Sequence, residues 1–252
     1  MEVIVKRITL YLVTLLFFFT FINCSLLKND GLIAHYTFDD PNNIGKDYSG
    51  NDLDGITYGN PILDTNSISG NALILDGIND YIRIPNDPLL NPQSITIVAW
   101  VKATTPYSGI GSEPIIDKPY STHEVPFYQY HLSLSGSQYQ GSLGGGSAFQ
   151  FYIYNTNESY AFIQTDPGFY QMNDWYFLTG IYDYKTQRMK LYINGVLYKA
   201  ITIQGMMIDF KKDLFIGKYG NLNNYLLATV DEIRIYNYPL SENEIDSLYT
   251  SF

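Results

Sequence analysis

Apolar and polar residues alternate along most of the chain after residue 30, a pattern that predicts β-strands. The alternation is clear at residues 31–39, near the start, and at residues 230–236, near the end. Alternate side chains of a strand share a face, so each segment presents one apolar face and one polar face. Strands at both ends of this region predict that its termini meet in one sheet and that the residues between them form one domain.

Further strands are predicted where β-branched and aromatic residues concentrate, at residues 95–101, 149–154 and 189–193. Asn194-Gly195 predicts a tight hairpin, because a type I′ turn needs positive φ at both central residues. About a dozen strands without crossover helices predict an antiparallel sandwich of two sheets.

One short helix is predicted at the C-terminus. Ser241 and Glu244 have the spacing of a capping box, and Ile245 and Leu248 are apolar. No strong helical periodicity precedes them in the region after residue 30.

Six segments in order resemble the laminin-G-like jelly-roll family, within the concanavalin A-like lectin and glucanase superfamily. The resemblance runs from about residue 31 to residue 248 and implies an all-β, antiparallel two-sheet jelly-roll sandwich. The fold hosts many functions, so it predicts no single activity. The six segments are residues 47–51, 70–77, 80–84, 94–102, 175–177 and 191–195.

The N-terminus is typical of an exported lipoprotein. Lys6 and Arg7 precede an apolar run at residues 8–22, and Cys24, the single cysteine of the chain, follows at once. The resemblance to a bacterial lipoprotein leader implies lipidation of Cys24, although Asn23 departs from the usual small residue before that cysteine.

The predicted organisation is a signal peptide at residues 1–23, a lipidated tether at 24–30 and a jelly-roll domain at 31–252. The predicted location is therefore outside the cytoplasm, in the periplasm or at the cell surface, with the lipid as the only membrane contact. An uncleaved membrane anchor and plain secretion are the alternatives, because the apolar run is marginal for a full span.

Composition supports a folded, acidic protein that is rich in tyrosine. Hydrophobic residues make up 46% of the chain, aromatics make up 16%, and 24 residues are tyrosine. The formal net charge is −10, which argues against nucleic acid as a partner, since phosphate recognition needs a basic face.

Catalytic motifs are absent, which predicts that the protein is not an enzyme. The chain lacks the E-x-D-x-x-E pattern of retaining glucanases and the G-x-S-x-G turn of serine hydrolases. His123-Glu124 begins like a zinc-binding H-E-x-x-H motif, but residue 127 is Phe and Pro126 would break the required helix.

The family resemblance also implies one structural Ca²⁺, because members hold it between their terminal strands. Ca²⁺ takes six to eight oxygen ligands. The alternative is that these side chains only cap turns. The implied side-chain ligands are Asp39, Asp47, Asn51 and Asp231.

A ligand surface is predicted in the Tyr- and Gly-rich region of residues 104–174, the part least similar to the family. Sugar rings stack on aromatic side chains while amides bind their hydroxyls. Any one tyrosine is more often structural than ligand-binding. The predicted ligand contacts are Tyr107, Tyr120, Tyr139, Tyr170, Asn221 and Asn223.

These patterns together predict a non-enzymatic surface lipoprotein whose jelly-roll domain binds carbohydrate. An adhesive or structural module that binds an extracellular or surface protein is the alternative, and a degenerate glycoside hydrolase is a third.

Overall fold

The computed structural model describes residues 31–104, 112–120, 128–135, 147–156, 160–220 and 222–252. Leu32–Phe252 forms one compact unit. Within the described ranges, no helix is long and apolar enough to cross a membrane. The strands are β1 (Leu32–Tyr36), β2 (Ile56–Tyr58), β3 (Ile62–Asp64), β4 (Ala72–Asp76), β5 (Tyr81–Ile84), β6 (Ile95–Ala103), β7 (Ser112–Pro119), β8 (Tyr128–Ser135), β9 (Ala148–Tyr154), β10 (Tyr160–Gln164), β11 (Trp175–Asp183), β12 (Arg188–Ile193), β13 (Val196–Thr202), β14 (Leu214–Ile216) and β15 (Leu227–Tyr236). A short 3-10 helix (Pro88–Leu90) and the C-terminal helix α1 (Glu242–Thr250) accompany them.

The strands form two antiparallel sheets, as predicted. Sheet 1 has the order β13-β12-β11-β6-β15-β4-β3, with β1 also paired to β15. Sheet 2 has the order β10-β9-β8-β7-β14-β5-β2. Leu32 pairs with Tyr236 and Tyr36 pairs with Ile233, which confirms that the first and last strands meet in one sheet.

The main core lies between the inner faces of the two sheets. Ile97 and Ala99 of β6 belong to this core, as do Leu132 of β8 and Phe151 of β9. Gly180 of β11 stands opposite Phe151, and a Cβ at Gly180 would lie 2.7 Å from that ring. A side chain at position 180 would therefore displace the ring from a close-packed interior.

The predicted hairpin and helix cap are both confirmed. Asn194 and Gly195 have φ of 50° and 76°, and they join β12 to β13. Ser241 and Glu244 form the reciprocal capping box at the start of α1.

The outer face of sheet 1 is covered by α1. Ile245 of the helix is fully buried against Val98, Trp100 and Phe177. The Trp100 ring lies 5.1 Å from Phe177 and 5.7 Å from Tyr249. This second apolar cluster closes part of the outer face of sheet 1.

Candidate functional site

Strand alternation brings aromatic and basic side chains to the outer face of sheet 2. Ile82 and Ile84 of β5 are buried in the main core. Tyr81 and Arg83 therefore point to the opposite face. Phe215 takes the same face in β14, because both of its neighbours in that strand are core residues.

The aromatic shelf, as we name it, consists of four rings and one cation: Tyr58, Tyr81, Phe215, Tyr225 and Lys218. Tyr58 and Tyr81 are direct cross-strand partners, and their rings stack 4.6 Å apart at an interplanar angle of 3°. The Tyr81 ring lies 6.1 Å from Phe215 and 6.0 Å from Tyr225. Tyr58 and Tyr225 are both partly exposed. The four rings thus form one aromatic cluster on this surface, in which Tyr58 and Tyr81 each cover one ring face of the other.

Lys218 is held by ring faces. Its Nζ lies 4.5 Å from the Tyr81 ring centre, 5.6 Å from Tyr225 and 5.8 Å from Phe215. These are cation–π distances. Partial burial lowers the pKa of Lys218, and this lysine makes no ion pair with any described residue.

A small cavity adjoins the shelf at Phe215. Its volume is about 160 Å³. The Tyr120 ring packs on Phe210 with ring centres 4.7 Å apart, and Arg83 Nη1 lies 3.3 Å from Asp213 Oδ2. Because Phe215 lines the cavity and also belongs to the shelf, the cavity and the shelf form one continuous surface. The cavity is lined by Pro119, Tyr120, Lys211, Lys212, Asp213 and Phe215.

Buried polar groups support this surface from below. Lys118 is fully buried, and its Nζ donates to Asn86 Oδ1 at 3.0 Å and to the carbonyl oxygen of Lys212. Burial lowers the pKa of Lys118 to about 8, an effect opposed by Asp209 and Asp213. Lys118 thus anchors the segment that carries Lys211 and Lys212.

A hydrogen-bonded chain of Ser112, His131 and Asp117 lies next to the shelf. Ser112 Oγ is 3.0 Å from His131 Nε2, and His131 Nδ1 is 3.0 Å from Asp117 Oδ1. Asp117 and His131 are direct cross-strand partners in β7 and β8. The order of atoms is that of a serine-hydrolase triad.

Burial assigns this chain a structural role. His131 and Asp117 are 0% exposed, and Tyr128 stacks on the imidazole with ring centres 4.2 Å apart. Burial raises the pKa of Asp117, and the hydrogen bond from His131 opposes that rise. Ser112, which has the nucleophile's place in this order, is only 6% exposed, and we assign the three hydrogen-bonded side chains to joining β7 to β8.

The predicted ligand residues separate into three groups. Tyr120 lines the cavity, and exposed Asn223 accepts a 3.4 Å hydrogen bond from the Tyr225 hydroxyl, so both adjoin the shelf. Tyr170 is a correction: it lies in a loop, but its ring is 3% exposed and stacks on Phe149 in the main core at 4.8 Å. The predicted residues that lie outside the described part of the chain are Tyr107, Tyr139, Asn221 and Cys24.

The four predicted calcium ligands fall into two pairs, Asp39 with Asp231 and Asp47 with Asn51. Asp231 is buried, and its Oδ2 accepts hydrogen bonds from the backbone of Ile68 and Ser69. Asp39 accepts from Asn71 N at 2.7 Å, so both carboxylates face one loop. Burial raises the pKa of Asp231 to about 7, and a bound cation would lower it again.

Asp47 and Asn51 favour the turn-capping alternative. The two oxygens of Asp47 accept hydrogen bonds from three backbone N–H groups and from the Ser49 hydroxyl. The Asn51 amide donates to the carbonyl oxygens of Leu32 and Ile33. Asp39 and Asp231 also accept backbone N–H groups, and they are the two of the four whose carboxylates face a common loop. Within the described ranges, no group of three or more His, Cys, Asp or Glu residues could hold a metal.

The sequence predicted no member of the aromatic shelf, only Tyr120 and Asn223 beside it. Alternation in β5 places Tyr81 and Arg83 on one face, and this signal was available. Lys218 and Tyr225 lie outside long strands, and only the folded arrangement brings them to Tyr81.

Comparison with solved structures supports the fold. The domain is similar to the binding domain of Paraclostridial Mosquitocidal Protein 1, with a TM-score of 0.70 and 17% identity over 89% of this chain and 53% of that chain. It is also similar to the binding domain of botulinum neurotoxin serotype D, with a TM-score of 0.65 and 20% identity over 88% and 52% of the two chains. The chain thus spans about half the length of these two structures.

A third similar structure is a single domain. Domain 4 of AbnA, a GH43 extracellular arabinanase from Geobacillus stearothermophilus, was solved in complex with arabinotriose. It matches with a TM-score of 0.64 and 20% identity over 87% of this chain and 98% of that domain. At these identities the likeness shows the fold alone.

Comparison with curated proteins gives no significant match. A family model does match, over residues 76–246, which is more than half of the chain and includes all of the aromatic shelf except Tyr58. That model is Laminin_G_3, described as concanavalin A-like lectin/glucanases superfamily, and the protein belongs to this family.

Proposed function

We propose that the protein is a non-enzymatic carbohydrate-binding module and that it binds glycan on the aromatic shelf. The observation that carries the proposal is the cluster of partly exposed rings on the outer face of sheet 2. Sugar rings present apolar C–H faces, which pack on flat aromatic side chains. The arabinotriose complex of the similar arabinanase domain adds support, because it pairs this fold with a bound oligosaccharide.

A glycan array with the full chain in mild detergent tests the proposal. Hits should weaken when Tyr58 and Tyr225, two of the partly exposed rings, are both changed to Ala. Aromatic contacts contribute about 1 kcal/mol each, so the double variant should lose about tenfold or more in affinity if the effects add.

Tyr48→Ala is the matched control, because Tyr48 is 47% exposed and lies outside the shelf. Unchanged binding by the Tyr58→Ala/Tyr225→Ala protein would contradict the placement of the site.

Binding to an extracellular or surface protein is the second candidate. The similar toxin structures are named as binding domains or receptor-binding domains, which favours a recognition role for the fold without requiring a sugar. An array without hits, together with saturable binding to a protein partner, would favour this candidate over the first.

The location proposed for the module is a membrane surface, through lipid on Cys24. The support is the leader pattern of Lys6, Arg7 and the apolar run before the cysteine. Cys24→Ser should abolish acyl labelling and release the protein from the membrane fraction. Retention of the Cys24→Ser protein in membranes would point to an uncleaved anchor.

Calcium is proposed at Asp39 and Asp231, which face the same loop. An ion that binds only the folded state stabilises it by mass action. Chelator should therefore lower the melting temperature of the wild type, and should do so much less for Asp39→Ala. A melting curve insensitive to chelator, with no metal found by elemental analysis, would overturn this assignment.

A further inference from the structure

We propose that the aromatic shelf selects acidic glycans. Lys218 is the main contact for a sugar carboxylate or sulfate, and Lys211 and Lys212 lie at the adjoining cavity. The inference rests on the proposed function, since it names the class of glycan. It starts from the unequal distribution of positive charge over the domain.

Basic residues are concentrated around the shelf. The chain has 15 Lys and Arg residues against 25 Asp and Glu residues. Five of those 15 border the shelf or its cavity, in contact with its rings, its lining or one another. Asp209 and Asp213 lie beside them, so this part of an acidic protein has a surplus of basic side chains, which attracts anions. The five residues are Arg83, Lys118, Lys211, Lys212 and Lys218.

Two of these cations already have partners within the protein. Arg83 pairs with Asp213, whose other oxygen accepts a 2.9 Å hydrogen bond from Asn86 N. Lys118 is fully buried and donates to Asn86 and to the Lys212 carbonyl oxygen. These two cations support the surface and leave ligand binding to the others.

The remaining three cations are without anionic partners. Among the described residues, Lys211, Lys212 and Lys218 form no ion pair. Lys211 is exposed and Lys212 is partly exposed. The nearby Asp209 accepts from the backbone N of Lys211 at 2.7 Å, which fixes the turn.

Lys218 is the best placed of the three. Its Nζ lies among three rings, and partial burial there lowers the pKa of Lys218. A bound anion would restore the charge stabilisation lost on partial burial. A sugar packed on Tyr225 or Tyr58 would place an acidic substituent within reach of this ammonium group, and charge-assisted hydrogen bonds are stronger than neutral ones.

Three oligosaccharides of equal length test the inference by calorimetry with the full chain in mild detergent. They are an oligogalacturonate, a sulfated galactan fragment and a neutral galactan fragment. At least one acidic oligosaccharide should bind about tenfold tighter than the neutral one, and added NaCl should reduce the difference. The two acidic probes distinguish carboxylate from sulfate.

Lys218→Met should weaken binding of the acidic oligosaccharides far more than binding of the neutral one, because Met keeps a linear apolar side chain against the rings but carries no charge. Lys199→Met, an exposed change on β13 of sheet 1, is the matched control and should keep the preference.

Equal binding of all three oligosaccharides, unchanged in Lys218→Met, would overturn the inference but not the proposed carbohydrate binding. Failure of all three, with an array without hits, would overturn both. Binding to phosphatidylglycerol vesicles without binding to any oligosaccharide would also overturn the inference.

Discussion

Alternation of side chains along the strands builds the outer faces of both sheets, but these faces differ in how much of their aromatic surface the protein itself covers. On sheet 1, Trp100 and Phe177 are covered by α1 and form a closed apolar cluster with Ile245. On sheet 2, Tyr58 and Tyr81 stack on each other and remain partly exposed. The sheet 1 face is completed by the protein's own chain, whereas the shelf retains surface that a ligand can cover.

The pairing of buried polar groups marks the second difference between these faces. On sheet 1, the buried Asp231 is the cross-strand partner of Trp100, and Lys102 Nζ lies 4.8 Å from the centre of the Trp175 ring. Sheet 2 carries the Ser112, His131 and Asp117 chain, together with the buried Lys118. An outer face therefore takes its role from what covers it and from how its polar groups are paired.

The largest effect should come from breaking the polar chain on sheet 2. His131→Ala leaves the Asp117 carboxylate buried without its partner at Oδ1. Removing one member of a buried pair costs about 3–5 kcal/mol, and urea denaturation measures the loss. The double change His131→Ala with Asp117→Ala should recover part of that loss. Additive losses in the double variant would show that the two side chains are not coupled.

Opening the apolar face of sheet 1 should have the next largest effect. Ile245→Ala should destabilise the domain by about 2–4 kcal/mol, through lost burial and a cavity beneath α1. Glycan affinity should be unchanged, because the shelf lies on the other sheet. Asn243→Ala, an exposed change in the same helix, is the control and should be close to neutral. A parallel loss of binding in Ile245→Ala would mean that the two faces are linked.

A carboxylate that joins the two sheets offers a smaller effect that depends on pH. Glu113 of β7 accepts a hydrogen bond from Leu227 N of β15, and burial raises the pKa of Glu113 to about 7. The folded state therefore holds the proton more tightly, so this residue costs stability as pH rises from about 4.5 to 7. Glu113→Gln should stabilise the domain by about 1–3 kcal/mol at pH 8.

The gain from Glu113→Gln should be small at pH 4.5, where the carboxyl is protonated in the folded state and about half protonated in the unfolded state. Melting temperatures at pH 4.5 and pH 8 measure both values. An equal gain at the two pH values would assign the effect to packing.

The smallest effect should come from the end of the polar chain. Ser112→Ala removes the hydroxyl but leaves the hydrogen bond between His131 and Asp117, so the domain should lose about 1 kcal/mol. Glycan affinity should stay the same. A loss of binding with intact stability would move the ligand site towards Ser112.

Sequence predicts those elements whose signals are local. The alternation in β6, the Asn194-Gly195 turn and the capping box of Ser241 with Glu244 each depend on residues within a few positions of one another. Their structural counterparts appear with the expected bounds or dihedral angles. These signals are enough to give the sandwich and its C-terminal helix.

The candidate site depends on register between distant strands, and that is why sequence missed most of it. Tyr58 lies about 160 residues before Phe215 and Lys218 along the chain. They come together only because β2, β5 and β14 are neighbours in sheet 2. Loop composition was a poor guide in one case. Tyr170 lies in a loop but turns its ring into the core against Phe149.

Strand β15 also sets the order in which the domain can be assembled. It pairs with β6, β4 and β1, and it is the last strand of the chain. During synthesis, sheet 1 therefore lacks the strand that joins its two parts until residue 236 has been made. Contacts between such distant residues are slow to form, because a long loop must close first. The domain cannot complete its fold before residue 236 has been made, and a truncation before residue 227 would separate three strands at once.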